Sequence, residues 1–548
     1  MKKWKIIHAP KSNIFLDSKK VLDILLSNRG IKNKDIRGFL HPRISELSLN
    51  SVGIQKNDFL IFEKRIQEAN SKNETIAIYG DYDVDGICAS AILWETLYSK
   101  NKNVAPYIPD RADEGYGLSV KGIDNLLLDR PEVKVIVTVD NGIVAHEPVL
   151  YAKSKGIDVI ITDHHVAEKK LPEAYCIIHT TKLCGAGIAW LLSRELSFLS
   201  KEEVMEKLSL ACLATVADLV PLTDSNRWIA KEGLKLLQNT SRPGLKALLT
   251  SAGVELGTIS TYTIGHIIAP RLNATGRIQN AMNSLRLLCT KNREKALELA
   301  ALLTSINKER QDMTEESVAH AKLYALESQL TRITIVQSEK YNPGVVGLIA
   351  SRLVEAFYKP AFAIAVDKEI SRGSARSIAG VNVIELLRSV SGLLEETGGH
   401  PMAAGFSIRT EKIEEFTKAL DEASQRVVLD EVLDRVVRID MVIPFSLISV
   451  KFIDEIGVLE PFGMGNPQPI FASIGVEIVE FRKIGKEQNH LKLKLRQGDK
   501  IVDAIAFNMA EKTDVVIGDK IDVAFTLDVN EWDGKITSQL KIKDIRLS

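Results

Sequence analysis

The chain of 548 residues is 45% hydrophobic and 26% charged, a composition that buries several cores and excludes the disordered and fibrous classes. Lys+Arg and Asp+Glu balance at 71 each, so a polyanion must be met by a local basic patch and not by the field of the whole molecule. Five cysteines without a CxxC pair disfavour a disulfide framework and a structural zinc site. The start, MKKWKIIHAPKSN, lacks a signal-peptide core, and no stretch approaches the ~20 apolar residues of a spanning helix, so the expectation is a soluble cytoplasmic protein.

In chain order, residues 1–55 carry the amphipathic VLDILLSNR and read as a helical cap. Residues 56–284 alternate short apolar runs (TIAIYG, NVAPYI, VKVIVTV, DVIIT, CIIHT) with helical stretches, the pattern of a parallel sheet flanked by helices. Residues 285–330, nearly free of Gly and Pro, predict a connecting helix. A second, smaller α/β domain follows over 331–435, then a linker over 436–470. Residues 471–548 alternate apolar and polar with regular turns, which predicts a five-stranded β-barrel of the oligonucleotide-binding (OB) type. The fold class is α/β with this C-terminal barrel.

Three runs of the first sheet end in acid-rich loops: Asp81-Tyr82-Asp83-Val84-Asp85-Gly86, Asp140-Asn141-Gly142 and Asp163-His164-His165. In open α/β sheets, ligands sit outside the carboxyl ends of the strands, so these loops should converge on one crevice. Asp218, after LACLATVA, is expected to face it too. Clustered carboxylates raise one another's pKa unless cations neutralise them, and a mixed carboxylate and imidazole set suits Mn²⁺, with Mg²⁺ as an option. Two such ions about 3.5–4 Å apart would clamp a phosphate and activate a water. Taken singly, each motif has a plainer reading: an Asp-x-Asp after a strand is commonly a turn or a helix N-cap. Co-occurrence at three strand ends favours metal. Gly86 is expected where the backbone turns into the following helix.

These residues resemble a known family. GDYDVDG (80–86), TVDNG (138–142), TDHH (162–165) and ADLVPL (217–222) look like the successive motifs of the DHH phosphoesterase superfamily. IPDRADEGYGL (108–118), APRLNATGRI (269–278), NPGVVGLIASRL (342–353), GSARS (373–377), GGHPMAAG (398–405) and LEPFGMGNPQPIF (459–471) resemble, in order, segments of the RecJ family of bacterial single-strand-specific exonucleases. The resemblance implies a DHH catalytic domain, a DHHA1-type substrate-binding domain and two Mn²⁺ or Mg²⁺ ions. It implies metal ligands at Asp83, Asp85, Asp140, His164 and Asp218, with Asp81 in support and His165 in support or against the scissile phosphate. Asp163 is a candidate partner for the second nitrogen of a ligating imidazole. Three departures stand out: a short IIHTTKLCGAGIAW segment with His179 and Thr180 at the usual Asn-Pro place, Asn342 before Pro343, and Asn382 where an acid is expected.

For the substrate, Ser371, Arg372, Ser374 and Arg376 alternate on an extended segment, offering hydroxyls and guanidinium groups to phosphate oxygens, unless the segment is a solvated edge strand. The Gly398-Gly399-His400 turn joins them as a substrate-contact candidate through its place in the family pattern, and Arg111 through its segment. Arg271, Asn273 and Arg277 fall in a Gly/Pro-bounded loop, with Arg271 open to a purely structural role. In the barrel, Arg482 to Lys500 holds seven cations and two acids, a surplus of five. Period-2 alternation puts Lys492, Lys494 and Arg496 on one face, as a backbone track or as lysines guarding a strand edge.

The resemblance implies a metal-dependent exonuclease that degrades single-stranded DNA 5′ to 3′ to mononucleotides in DNA repair and recombination, as a monomer working beside a helicase and a single-strand-binding protein. Two rivals have discriminators. A phosphodiesterase for very short oligoribonucleotides or cyclic dinucleotides needs no extra basic barrel, and a non-catalytic scaffold of the same fold would have lost motif acids that are all present here.

Overall fold

The computed structural model describes residues 2–9, 16–43, 46–111, 113–511, 515–532 and 534–547. Residues 1, 10–15 and 44–45 of the expected cap lie outside the described residues. The segment opens on strand β1 (Lys3–Ile6), which pairs in parallel with Val436–Ile439, and helix follows over Ser18–Asn28. The tetrapeptide KWKI has too little apolar content to announce a strand by itself.

Two compact units are distinguished. The first comprises residues 19–307 and 454–468. Its apolar runs form strands β2 (Thr75–Tyr79), β3 (Val104–Tyr107), β4 (Val133–Val139), β5 (Asp158–Asp163) and β6 (Cys176–His179). All are parallel, in the order β3-β2-β4-β5-β6. Because helices cover both faces, every residue of β2 is buried and the strands read as continuous apolar runs. The chain leaves β2 to one side for β3 and returns on the other for β4, so the order reverses between β2 and β4. Helix Val84–Tyr98 leads directly out of β2 and packs on helices Gly185–Glu195 and Lys201–Ala217, with Thr96 Oγ1 donating to Ser193 Oγ at 2.8 Å.

Two expected features differ here. The PRLNATGR segment is helical (Ala269–Ile278), preceded by a π-helical turn, Ile264–Ile268. The ring of Pro270 would clash with the carbonyl of residue 266, and widening the preceding turn relieves that clash without breaking the helix. The connecting helix begins later than expected, at Arg293 after an extended Thr290, and runs 35 residues to Glu327. Among the described residues no helix is long and apolar enough to cross a membrane.

The second unit comprises residues 1–18, 308–453 and 469–548. Strands β7 (Thr334–Ser338), β8 (Ala361–Ala365), β9 (Ile370–Arg376), β10 (Glu396–His400) and β11 (Ala403–Arg409) form a mixed sheet in the order β10-β11-β9-β8-β7. The stretch expected as linker holds β12 (Val436–Ile439), partner of β1, and the short β13 (Met441–Val442). Strands β14 (Phe471–Ile484), β15 (His490–Gln497), β16 (Lys500–Ala506), β17 (Lys520–Trp532) and β18 (Lys535–Leu547) follow in the order β14-β15-β16-β18-β17, and β14 pairs β17 to close the barrel. Trp4 of β1 packs on Val437, Ile439, Ala472 and Ala524 and donates Nε1–H to Asp544 Oδ2 at 2.7 Å, so the amino terminus is clasped to the barrel.

Candidate active site

The loops after β2, β4 and β5 meet at the reversal point of the first sheet. Asp83 caps the helix Val84–Tyr98, its Oδ1 accepting from the N–H groups of Asp85 and Gly86 at 2.8 and 3.1 Å. The N-cap reading and the cluster reading are therefore compatible. Gly86 is required for a different reason from the expected one. It is helical, and a Cβ there would come within 2.5–2.7 Å of the Asp81 backbone. Asp85, fully enclosed, accepts from Gly185 N at 2.6 Å and Ala186 N at 2.7 Å, so it sits on the N-terminus of helix Gly185–Glu195 where the peptide dipoles favour an anion.

Asp140 has left-handed backbone, φ +66°, a conformation Asp tolerates better than most side-chain-bearing residues. Its N–H donates to Thr162 O at 3.0 Å, and Asn141 Nδ2 donates to Tyr79 O and Val139 O, tying the loop to the strand ends. Gly185 passes so close that a Cβ would lie 2.6 Å from Asp140 Cβ. Asp218 is the C-cap of helix Lys201–Ala217 and presents its carboxylate to the same place.

His164 joins these acids. Its Nε2 lies 3.0 Å from Asp140 Oδ1, 3.5 Å from Asp85 Oδ2 and 3.7 Å from Asp218 Oδ2. Among the described residues, three sets of ligand atoms each lie within 4.8 Å of one another: Asp140, His164 and His165; Asp85, His164 and Asp218; Asp81, Asp83 and Asp140. The expected partner of Asp163 is corrected by the geometry. Asp163 Oδ1 lies 2.8 Å from Nδ1 of His165, not of His164, and accepts from the N–H groups of both histidines, while its Oδ2 accepts from Ile143 N.

Electrostatics follow from burial. Desolvation, then the Asp83 charge, lifts Asp81 well above the usual carboxylate range, and desolvation, then Asp85, does the same for Asp140. Asp83 and Asp218 are raised by desolvation and by Asp85. Burial lowers His164; burial also opposes charge on His165, but the Asp163 hydrogen bond and charge outweigh it and raise that imidazole. The buried Asp81 Oδ1 has no hydrogen-bond partner. A divalent cation among these oxygens would reverse the repulsion and satisfy that atom, so the residues present fit the group.

Several contributors are not among the site residues expected from the sequence. Tyr116 Oη lies 3.1 Å from His165 Nε2 and 3.4 Å from Asp140 O. His179 and Thr180, in the short segment, are braces: His179 Nε2 donates to His165 O at 2.7 Å, and the Thr180 hydroxyl donates to Val52 O. The Gly185-Ala186-Gly187 run, small residues at a helix start, was the available cue for the amides that hold Asp85.

The other substrate candidates divide. Asn273 Oδ1 accepts from Val84 N at 2.9 Å, and Arg271 Nη1 donates to Ile267 O at 2.6 Å, so both brace the local backbone; Arg277 is half-buried in the last turn of the same helix. Arg111 is exposed, its guanidinium 5.2 Å from the centroid of the Tyr82 ring. In the second unit, β9 is central in its sheet rather than an edge. Arg372, Ser374 and Arg376 share its more exposed face, whereas Ser371 is buried and bonded to the Thr410 hydroxyl, because a strand sends neighbours to opposite faces. Gly398-Gly399-His400 is the end of edge strand β10 rather than a tight turn, and His400 stands in register with Ala403, which pairs Arg376. Asn342 Oδ1 holds Gly344 N, and Asn382 caps the helix Val383–Arg388, so both departures serve local structure.

On the barrel, the leucines of β15 are buried and its cations face outward, as the alternation predicts. Two of them are already neutralised: Lys494 pairs Glu480 and Arg496 pairs Glu477, each at 2.7 Å.

Residues 75–217 match the DHH family, N-terminal domain, residues 328–426 the DHHA1 domain and residues 439–544 the RecJ OB domain. The fold and its aspartate and histidine cluster are thus those of a DHH phosphoesterase. The "Single-stranded-DNA-specific exonuclease RecJ" of Thermus thermophilus is 33% identical over 489 residues, covering 88% of this chain and 70% of that relative. That of Bacillus subtilis is 38% identical over 497 residues, and the match spans 88% of this chain but 63% of the relative's length. A crystal structure of RecJ from Thermus thermophilus in complex with Mn²⁺ superposes with a TM-score of 0.83 at 27% identity, covering all of this chain and 80% of that one. The chain belongs to the RecJ family of single-stranded-DNA-specific exonucleases.

Proposed function

We propose that this protein hydrolyses single-stranded DNA from the 5′ end to mononucleotides, in DNA repair and recombination in the cytoplasm. The observation that carries the reading is the convergence of Asp83, Asp85, Asp140, Asp218 and His164 in overlapping ligand sets at one place, where Asp83, Asp140 and Asp218 are held above the ordinary carboxylate pKa by burial and by neighbouring acids. These five would hold Mn²⁺ or Mg²⁺. The Mn²⁺ complex of the Thermus relative supports that choice. When bound, a divalent pair supplies a lowered pKa to water and charge neutralisation at phosphorus.

The chain's own residues do the rest. Asp85, anchored by two backbone amides, and Asp140, fixed by its left-handed turn, present oxygens that need no reorganisation. Asp163 fixes the ring of His165 with a proton at Nδ1, which leaves Nε2 against the Tyr116 hydroxyl at 3.1 Å; a scissile phosphate that displaced this hydroxyl would meet Nε2. Arg372, Ser374, Arg376 and His400 supply a phosphate-binding face on the second sheet. The division of labour is catalysis in 56–284, substrate grip in 331–435 and strand binding in 471–548, with the cap 1–55, the connecting helix 285–330 and the linker 436–470 as supports. A monomer assisted by a helicase and a single-strand-binding protein completes the reading.

The test uses single- and double-stranded DNA and RNA, labelled at either end and incubated with Mn²⁺, Mg²⁺ or chelator. Expected is metal-dependent release of the 5′-terminal mononucleotide from single-stranded DNA. Release from the 3′ end, or preference for RNA or dinucleotides, overturns the reading.

A further inference from the structure

Positive charge without an ion pair gathers where the hairpin between β14 and β15 turns, away from the middle of β15. Register sets this out. Lys494 stands opposite Glu480 and Arg496 opposite Glu477, and both cations are spent on those acids. Two residues toward the hairpin, Arg482 stands opposite Lys492, and Lys483 and Lys486 follow. Among the described residues none of these four forms an ion pair, and one acid, Glu487, lies in the same turn.

An aromatic pair closes the same end. Of the barrel's four phenylalanines, Phe471 and Phe525 are fully buried and Phe481 is half-buried, whereas Phe507 remains 49% exposed. Phe507 lies one residue beyond the Leu491–Ala506 pair, which sends it to the face opposite those buried side chains, beside His490. The two rings meet edge to face, centroids 5.2 Å apart and planes at 74°. His490 Nδ1 accepts from Asn508 N at 3.0 Å, so the imidazole is held in place by backbone. A half-exposed phenylalanine against a fixed ring costs water contact and gives no core packing in return; it offers a π-face to a flat ligand.

We propose that Phe507, supported by His490, is a step on which a base of the single strand stacks, while Arg482, Lys483, Lys486 and Lys492 hold the flanking phosphates. Base on aromatic with cations alongside is sequence-tolerant recognition, which suits an enzyme that must pass every base. The inference rests on the single-strand reading above and names the contact that reading left open.

The test is binding of the full-length chain, in chelator, to a labelled deoxythymidine oligomer and to an abasic strand of equal length, over a salt series. Phe507→Ala is expected to weaken binding of the base-bearing strand about 5- to 100-fold, with abasic binding and the salt slope unchanged. Phe507→Trp is expected to restore affinity. Lys483→Ala with Lys486→Ala is expected to weaken both strands and flatten the salt slope by about 1.4. If Phe507→Ala binds the thymidine strand as tightly as the parent, the stacking step is overturned while the single-strand reading stands. If the parent binds neither strand, the single-strand reading falls and the stacking step with it.

Discussion

Asp140 bears two costs at once: a left-handed backbone and a buried charge facing Asp85 and Asp83. Such a residue is retained for what it does. Asp140→Asn keeps the side-chain volume and tolerates the same φ, but removes the charge. The expected outcome is loss of metal-dependent hydrolysis, with single-strand binding within several-fold of the parent and a chelated-state melting temperature equal to the parent's or above it. Asp140→Ala should be equally inactive yet less stable than the Asn variant by about 1 kcal/mol, since alanine is strained where Asn is not. Calorimetry of both variants in chelator checks the order; an Asn variant less stable than the parent would contradict the charge argument. Gly86 is the second sharp case. Replacing a helical glycine with alanine ordinarily stabilises, but here the new methyl meets the Asp81 backbone at 2.5–2.7 Å. Gly86→Ala is expected to lose about 1–3 kcal/mol by urea unfolding, and activity with it as Asp81 is displaced.

At the scale of elements, helices Val84–Tyr98 and Lys201–Ala217 are held together by a buried ion cluster behind the candidate site. Glu95 accepts from Arg242 at two points, each 2.8 Å, and from Lys207, while Arg242 also reaches Glu206. Burial works against the Glu95 charge, but Arg242 and Lys207 outweigh it and hold the carboxyl below its ordinary value. Glu95→Gln leaves an enclosed guanidinium short of its partner and is expected to cost about 3–5 kcal/mol by urea unfolding. Because the folded value is depressed, the cluster's contribution is complete above the ordinary glutamate pKa and is lost as pH falls through the folded value. The loss caused by Glu95→Gln should therefore shrink on acidification below the ordinary value. Sequence periodicity located the elements that build the site, since a buried parallel strand is an unbroken apolar run and its end loop shows as an abrupt change to Asp and Gly. It missed what depends on register or on distant partners. PRLNATGR carries a proline and a glycine, yet it is helical, because the π-helical turn before Ala269 makes room for the Pro270 ring. Ser371 and Arg372 look equivalent in sequence, but the sheet buries one and exposes the other. The charges of Lys494 and Arg496 look available until β14 brings Glu480 and Glu477 opposite them.

For the molecule as a whole, the balanced charge hides a local imbalance that sets how stability responds to pH and metal. Asp81, Asp83, Asp140 and Asp218 all titrate above their ordinary value in the folded chain, chiefly through burial and then through a neighbouring acid, Asp83 for Asp81 and Asp85 for the other three. Between the ordinary carboxylate pKa and those raised values the native state therefore binds more protons than the unfolded one, so without metal, stability falls as pH rises. His165, raised, adds to the same slope, since its contribution is present below the unfolded imidazole value and is lost as pH rises through the folded one. His164, lowered, opposes it, one group against five. Glu95 and Asp163, held low, are fully ionised across this range and add no slope. In chelator, unfolding followed by tryptophan fluorescence, to which Trp94, Trp190 and Trp228 of the first unit contribute, should show stability declining from pH 5.5 to 8 by on the order of 1 kcal/mol per pH unit. Mn²⁺ competes with those protons, so its affinity rises over the same range, and at a hundredfold excess over its dissociation constant it should add about 2.7 kcal/mol. The decline should then flatten or invert. A chelated protein whose stability is level or rising across that interval would mean that the acids do not repel one another in the folded chain, and the physical case for a metal at their centre would be lost.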